Sequence, residues 1–107
     1  MKGKLTIVRP GKREEVVELS APVKLQLLSD IAGGDIEQVP YWSTYEGDPC
    51  VVFANTHGKR NKLIVNKVAN DEWYHARVRE GVKGKVDDEL RGNIIIVTGD
   101  EDFMETV

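Results

Sequence analysis

An α+β fold follows from three features of this sequence: two short strand-like segments at 50–54 and 93–98, apolar throughout the first and over the centre of the second, a broadly apolar segment of helical spacing at 20–32, and hairpin punctuation near the N-terminus. Continuous apolar runs rich in Val and Ile suit strands buried on both faces, so each reads as an interior strand. The expected architecture is one domain over residues 1–99, followed by an acidic C-terminal tail at 100–107. Its sheet is expected to be mixed or mainly antiparallel, with about five or six strands and two helices packed on one face.

The elements follow in order along the chain. Leu5 and Ile7 alternate with Lys4 and Thr6, the period of a half-buried strand. Pro10 and Gly11 then occupy the central positions of a type II turn, and Val17 and Leu19 return as the second strand of a hairpin. Ser20 is placed to cap a helix with Pro22 in its first turn. Gln26, Ser29 and Asp30 form its narrow polar wedge, and Gly33-Gly34 ends it. A short strand is expected over 35–39, an aromatic-bearing loop over 41–49, a turn over 55–59 and a further strand over 62–65. Asn70, with Asp71 and Glu72 behind it and Arg77, Arg79 and Gly81 at the far end, begins a second helix. Tyr74, Ala76 and Val78 also alternate like a strand, and the helical reading is preferred. Residues 83–91 are polar and read as irregular.

Composition narrows the function classes. A 40% hydrophobic, 31% charged chain is too apolar to be disordered. No apolar run reaches the roughly 20 residues of a membrane span, so no membrane role is expected. The apolar stretch near the start is too short for a signal peptide. A single cysteine excludes an internal disulfide and suits a reducing, cytoplasmic setting. Net charge is −3, but Asp100, Glu101, Asp102 and Glu105 carry the excess. Without those four acids, 14 acidic residues face 15 basic ones. This balance argues against both a strongly basic nucleic-acid binder and a carboxylate-coated DNA mimic.

Catalytic chemistry is hard to assemble. A nucleophilic site pairs a thiol or hydroxyl with a base, yet Cys50 begins an apolar strand, where a free thiol behaves as a small hydrophobe. His57 and His75 form no metal-ligand spacing with each other or with Cys50. The acidic runs 87–89 and 100–102 lack the order of a calcium loop. No metal or cofactor is therefore expected. Two features point to binding. Tyr41, Trp42 and Tyr45 stand in a turn-rich loop, where large aromatics anchor interfaces, or fold back as core. His57, Lys59, Arg60, Lys62 and Lys67 make the densest basic patch, suited to phosphates.

Several segments resemble a catalogued family, domain of unknown function 3846, found in phages, plasmids and their bacterial hosts. Residues 28–36 with Glu37 and Val39 resemble its helix–GG–(x)IE(x)V step. Residues 51–55 with Gly58-Lys59 resemble its VVVNE-x-GK strand and turn. Residues 63–66 with Ala69 resemble LPxNxxA, and 92–97 its closing glycine-led strand. Thr56 replaces an expected acid, and 67–91 matches poorly. The resemblance transfers no catalytic residue. It implies a small accessory protein of a phage or mobile element, acting in the bacterial cytoplasm. The expectation is thus a non-enzymatic binding protein, monomer or homodimer, that modulates a host protein through Tyr41, Trp42 and Tyr45. The alternative is a nucleotide or nucleic-acid module built on the basic turn at 57–67.

Overall fold

The isoleucine run near the C-terminus becomes the centre of the sheet, because only a position with neighbours on every side keeps four consecutive large apolar residues dry. The computed structural model describes residues 1–84 and 86–107. Its elements are β1 (Gly3–Val8), β2 (Glu15–Leu19), α1 (Leu25–Ala32), β3 (Ile36–Gln38), β4 (Thr44–Tyr45), β5 (Asp48–Pro49), β6 (Val51–Asn55), α2 (Lys67–Arg79), β7 (Ile94–Gly99) and α3 (Glu101–Met104). Five strands form one sheet in the order β2-β1-β7-β6-β3, with every neighbouring pair antiparallel. The fold is α+β, as expected. β4 and β5 form a separate two-stranded ribbon.

Side chains alternate across β7 and divide the core in two. Ile94 and Ile96 pack with Val8, Val52, Ala54 and the α2 residues Ala69, Trp73 and Ala76. Ile95 and Val97 pack with Leu5, Phe103 and the α1 residues Leu28 and Ala32. The helices therefore cover opposite faces, and the expected one-face arrangement is not what forms. A strand apolar on both faces needs a cover on each, and one helix supplies each.

Local chemistry accounts for the boundaries. Gly11, at φ 68, turns the chain out of β1, with Lys12 N–H donating to Arg9 O at 3.2 Å. The first helix starts later than expected. Lys24, extended at φ −85 and ψ 134, is its N-cap without a side-chain bond, so Ser20 caps nothing. Pro22 disfavours helical backbone at Ala21, and Val23 is drawn into the α1-side core. Gly33 closes the helix in the left-handed conformation at φ 80. Leu25 and Leu27 stay exposed, so the buried face is narrower than the apolar face of the sequence.

The expected strand at 62–65 does not form. Lys62 takes φ 55, and only Val65 makes a single bridge, to Arg91. The second helix forms, but from Lys67, capped by Asn66. Of the strand-like alternation there, Ala76 is buried while Tyr74 and Val78 are exposed. Lys85, within the stretch read as irregular, lies outside the described residues.

Residues 100–107, set apart above as a tail, carry α3 and pack on the sheet. Asp100 accepts from Phe103 N–H at 2.9 Å and from Lys2 N–H at 2.8 Å. The backbone hydrogen bond from Phe103 holds the Asp100 carboxyl below the usual carboxylate range. Phe103 is fully buried against Gly3 and Gly99, which face each other across β1 and β7. A Cβ at Gly99 would come 2.5 Å from Phe103 Cδ1, so the ring needs the bare backbone.

Candidate functional site

Three buried or half-buried asparagines draw distant segments together at one end of the sheet. The last carbonyls of α1 have no partner within the helix. Asn55, at the end of β6, donates to Ala32 O at 3.0 Å, and Asn93, before β7, donates to Ile31 O at 2.9 Å. Asn66, with no exposed surface, donates through Nδ2 to Val8 O at 2.8 Å and Gly92 O at 2.9 Å. Its Oδ1 accepts from Ala69 N–H at 3.1 Å and so caps α2.

Segment 62–64 is strapped onto the start of β7. Gly92 N–H donates to Ile64 O at 2.7 Å, and Arg91 Nη1 donates to Leu63 O at 3.1 Å. Gly92 sits at φ 73, where a Cβ would come 2.8 Å from Leu63 Cδ1, so glycine is required twice over. These contacts leave an open groove of about 510 Å³ between the β1–β2 turn, the end of α1 and segment 62–64. Pro10, Ile31, Leu63 and Ile64 give it aliphatic walls, and Arg9, Lys12 and Lys62 give it positive charge. Among the described residues, no acidic side chain lines it. Arg9 pairs with Glu15, whereas Lys12 and Lys62 have no carboxylate partner among the described residues. Ile64 is 73% exposed, so its side chain is open to a ligand in the groove.

A larger groove of about 640 Å³ lies at the other end of the sheet. There Lys2 and Lys4 meet Glu18, Asp48 and Asp100, and Lys4 stands directly opposite Glu18 in the β1–β2 register. Opposed charges compensate one another, so this groove selects no sign of ligand. Size favours it, but chemistry favours the basic groove.

The residues singled out from sequence are only partly gathered. Trp42 is 2% exposed and belongs to the α2-side core, so it cannot serve as a surface anchor. Tyr45 is half-buried, and its hydroxyl donates to Glu14 at 3.1 Å. Burial, and then the Glu14 charge, push that phenol well above its usual pKa. Tyr41 alone of the three is open, 52% exposed at φ 60. The aromatic trio is therefore not one surface. His57, Lys59, Arg60 and Lys62 share one exposed turn, closed by Asn61 N–H to His57 O at 2.8 Å and Leu63 N–H to Gly58 O at 2.9 Å. Of these, only Lys62 lines the groove, and Lys67 opens α2 outside it. Arg9 and Lys12 were missed. Their signal was the pair of cations flanking Pro10-Gly11, legible as basic but not as a neighbour of Lys62.

Cys50 is buried, its Sγ 3.6 Å from Trp42 O, and burial pushes its thiol up to about 11. Among the described residues no helix is long and apolar enough to cross a membrane. The family described as Domain of unknown function (DUF3846) matches over residues 1–106. No curated protein and no solved structure matches the chain.

Proposed function

We propose that this chain, which belongs to the DUF3846 family, works by binding, and that the basic groove is where it takes a phosphate-bearing ligand. The observation that carries the reading is the positive rim of the groove: Lys12 and Lys62, neither with a carboxylate partner among the described residues, converge with Arg9, which pairs with Glu15, and no carboxylate stands among the described lining residues. Charge-assisted hydrogen bonds from lysine and arginine to phosphate oxygens are the chemistry such a rim offers. The asparagine contacts that build the groove are internal, so its shape should be preformed. Lys59 and Arg60, on the adjoining turn, add attraction at longer range.

The test is titration calorimetry with pyrophosphate at low and physiological salt, on the native chain and a Lys12→Glu, Lys62→Glu double variant. Both side chains are exposed, so the variant should fold with an unchanged thermal midpoint. Binding that weakens with salt and disappears in the double variant supports the reading. Equal binding by both proteins sinks it.

A second reading is favoured by Tyr41, whose ring is half-exposed on a backbone held at positive φ. In that reading a cytoplasmic accessory protein of a phage or mobile element grips a host protein through this loop. Asparagine tolerates positive φ, so Tyr41→Asn removes the ring without straining the turn. Loss of a captured host protein in that variant supports the second reading, and undiminished capture removes it.

A further inference from the structure

We infer that the groove receives a free nucleoside di- or triphosphate, not a nucleic-acid strand, and that it does so with little regard to the base. The inference rests on the reading of the groove as a phosphate site and names its ligand. Its volume of about 510 Å³ falls within the range of small-molecule sites, roughly 300–1,000 Å³. The lining has two kinds of surface: an aliphatic wall of Pro10, Leu63 and Ile64, and the cations Arg9, Lys12 and Lys62. A ligand matching both has an apolar, flat portion joined to a short run of negative charge. A base laid against the aliphatic wall would cover Ile64, whose side chain is 73% exposed.

A polymer fits poorly. Surfaces that follow a single strand stack successive bases on aromatic rings, and no aromatic side chain lines the groove among the described residues. Three cations on a chain of net charge −3 would hold a strand weakly and lose it as salt rises.

Indifference to the base follows from where the nearby donors point. The Asn93 amide donates to Ile31 O, and the backbone N–H groups of Gly33, Leu63 and Gly92 donate to Ser29 O, Gly58 O and Ile64 O. With these donors already committed, few are left to read a base edge, and the side-chain cations carry most of the phosphate contact.

The experiment compares pyrophosphate, ADP, GDP and a twelve-residue thymidine oligonucleotide by calorimetry on the full chain, with Ile64→Ser as the diagnostic variant. ADP and GDP should bind within about threefold of each other and about tenfold tighter than pyrophosphate, with the oligonucleotide weaker than either. Ile64→Ser should erase the difference, so that the variant binds ADP no more tightly than it binds pyrophosphate. If pyrophosphate binds as tightly as ADP, the phosphate site stands and the nucleotide inference falls. A preference for the oligonucleotide also overturns the inference, and a large gap between ADP and GDP overturns its base indifference. If none of the four binds, both readings fall together.

Discussion

Asn66 offers a sharp test of how the groove is held, because its two side-chain ends do different work. Oδ1 caps α2 through Ala69 N–H, while Nδ2 satisfies Val8 O and Gly92 O, and the residue has no exposed surface. Asn66→Ala removes the cap, worth about 1 kcal/mol, and strands two carbonyls, the buried Val8 O and the half-buried Gly92 O, at about 1–3 kcal/mol each. A loss of about 3–7 kcal/mol follows, a large share of the stability of a domain this size. Asn66→Asp separates the two roles. At an exposed cap aspartate serves about as well as asparagine. Here it keeps the acceptor but turns a carboxylate oxygen toward two carbonyl oxygens, so at neutral pH it should be at least as damaging as alanine. Burial and the facing carbonyls raise the folded pKa of that carboxyl above its unfolded value. The deficit is therefore largest at neutral pH and shrinks as pH falls through the folded pKa, where the protonated carboxyl can donate. Urea unfolding of the three proteins, read by tryptophan fluorescence at several pH values, measures this. Full stability of Asn66→Asp at neutral pH would refute the reasoning.

Three further outcomes follow from burial. Trp42→Ala should lower stability by about 3–5 kcal/mol, since the indole is core; an unchanged thermal midpoint would return Trp42 to the surface. Phe103→Ala should be comparably damaging, and removing residues 100–107 at least as much, because the ring covers the Gly3–Gly99 pair; a truncated chain with native stability in urea would contradict this. Cys50, with its thiol pushed up to about 11, should resist a thiol reagent at pH 8 in the native protein and react promptly once unfolded; rapid native labelling would show the thiol is accessible.

The strands were legible where one rule governed them. The 93–98 run had to be interior, and its apolar side chains on both faces already demanded two covers, an implication that the expectation of a one-sided helical layer overlooked. Helix α2 was harder to read because it buries only Ala69, Trp73 and Ala76, so its sequence is mostly solvent-facing and its period faint. The strand expected at 62–65 rested on local propensity. Contacts from Arg91 and Gly92, nearly thirty residues away, decided otherwise. Charge set residues 100–107 apart as a tail, when a single phenylalanine facing two glycines was the stronger signal. Trp42 was open to either reading from sequence, because a loop aromatic fits a core or a surface equally well. The groove escaped the sequence for another reason. Lys62 was visible, but its proximity to Arg9 and Lys12 is made by the sheet, where β1 runs beside β7.

The most direct test of the central claim is a ¹⁵N–¹H NMR titration of the full chain with pyrophosphate. A phosphate site in the basic groove predicts saturable shifts centred on the amides of Lys12, Lys62, Leu63, Ile64, Gly92 and Asn93, which fade as salt is added. Shifts centred instead on Lys2, Lys4, Thr98 and Gly99, in the groove at the opposite end, or no saturable shifts at all, would contradict it.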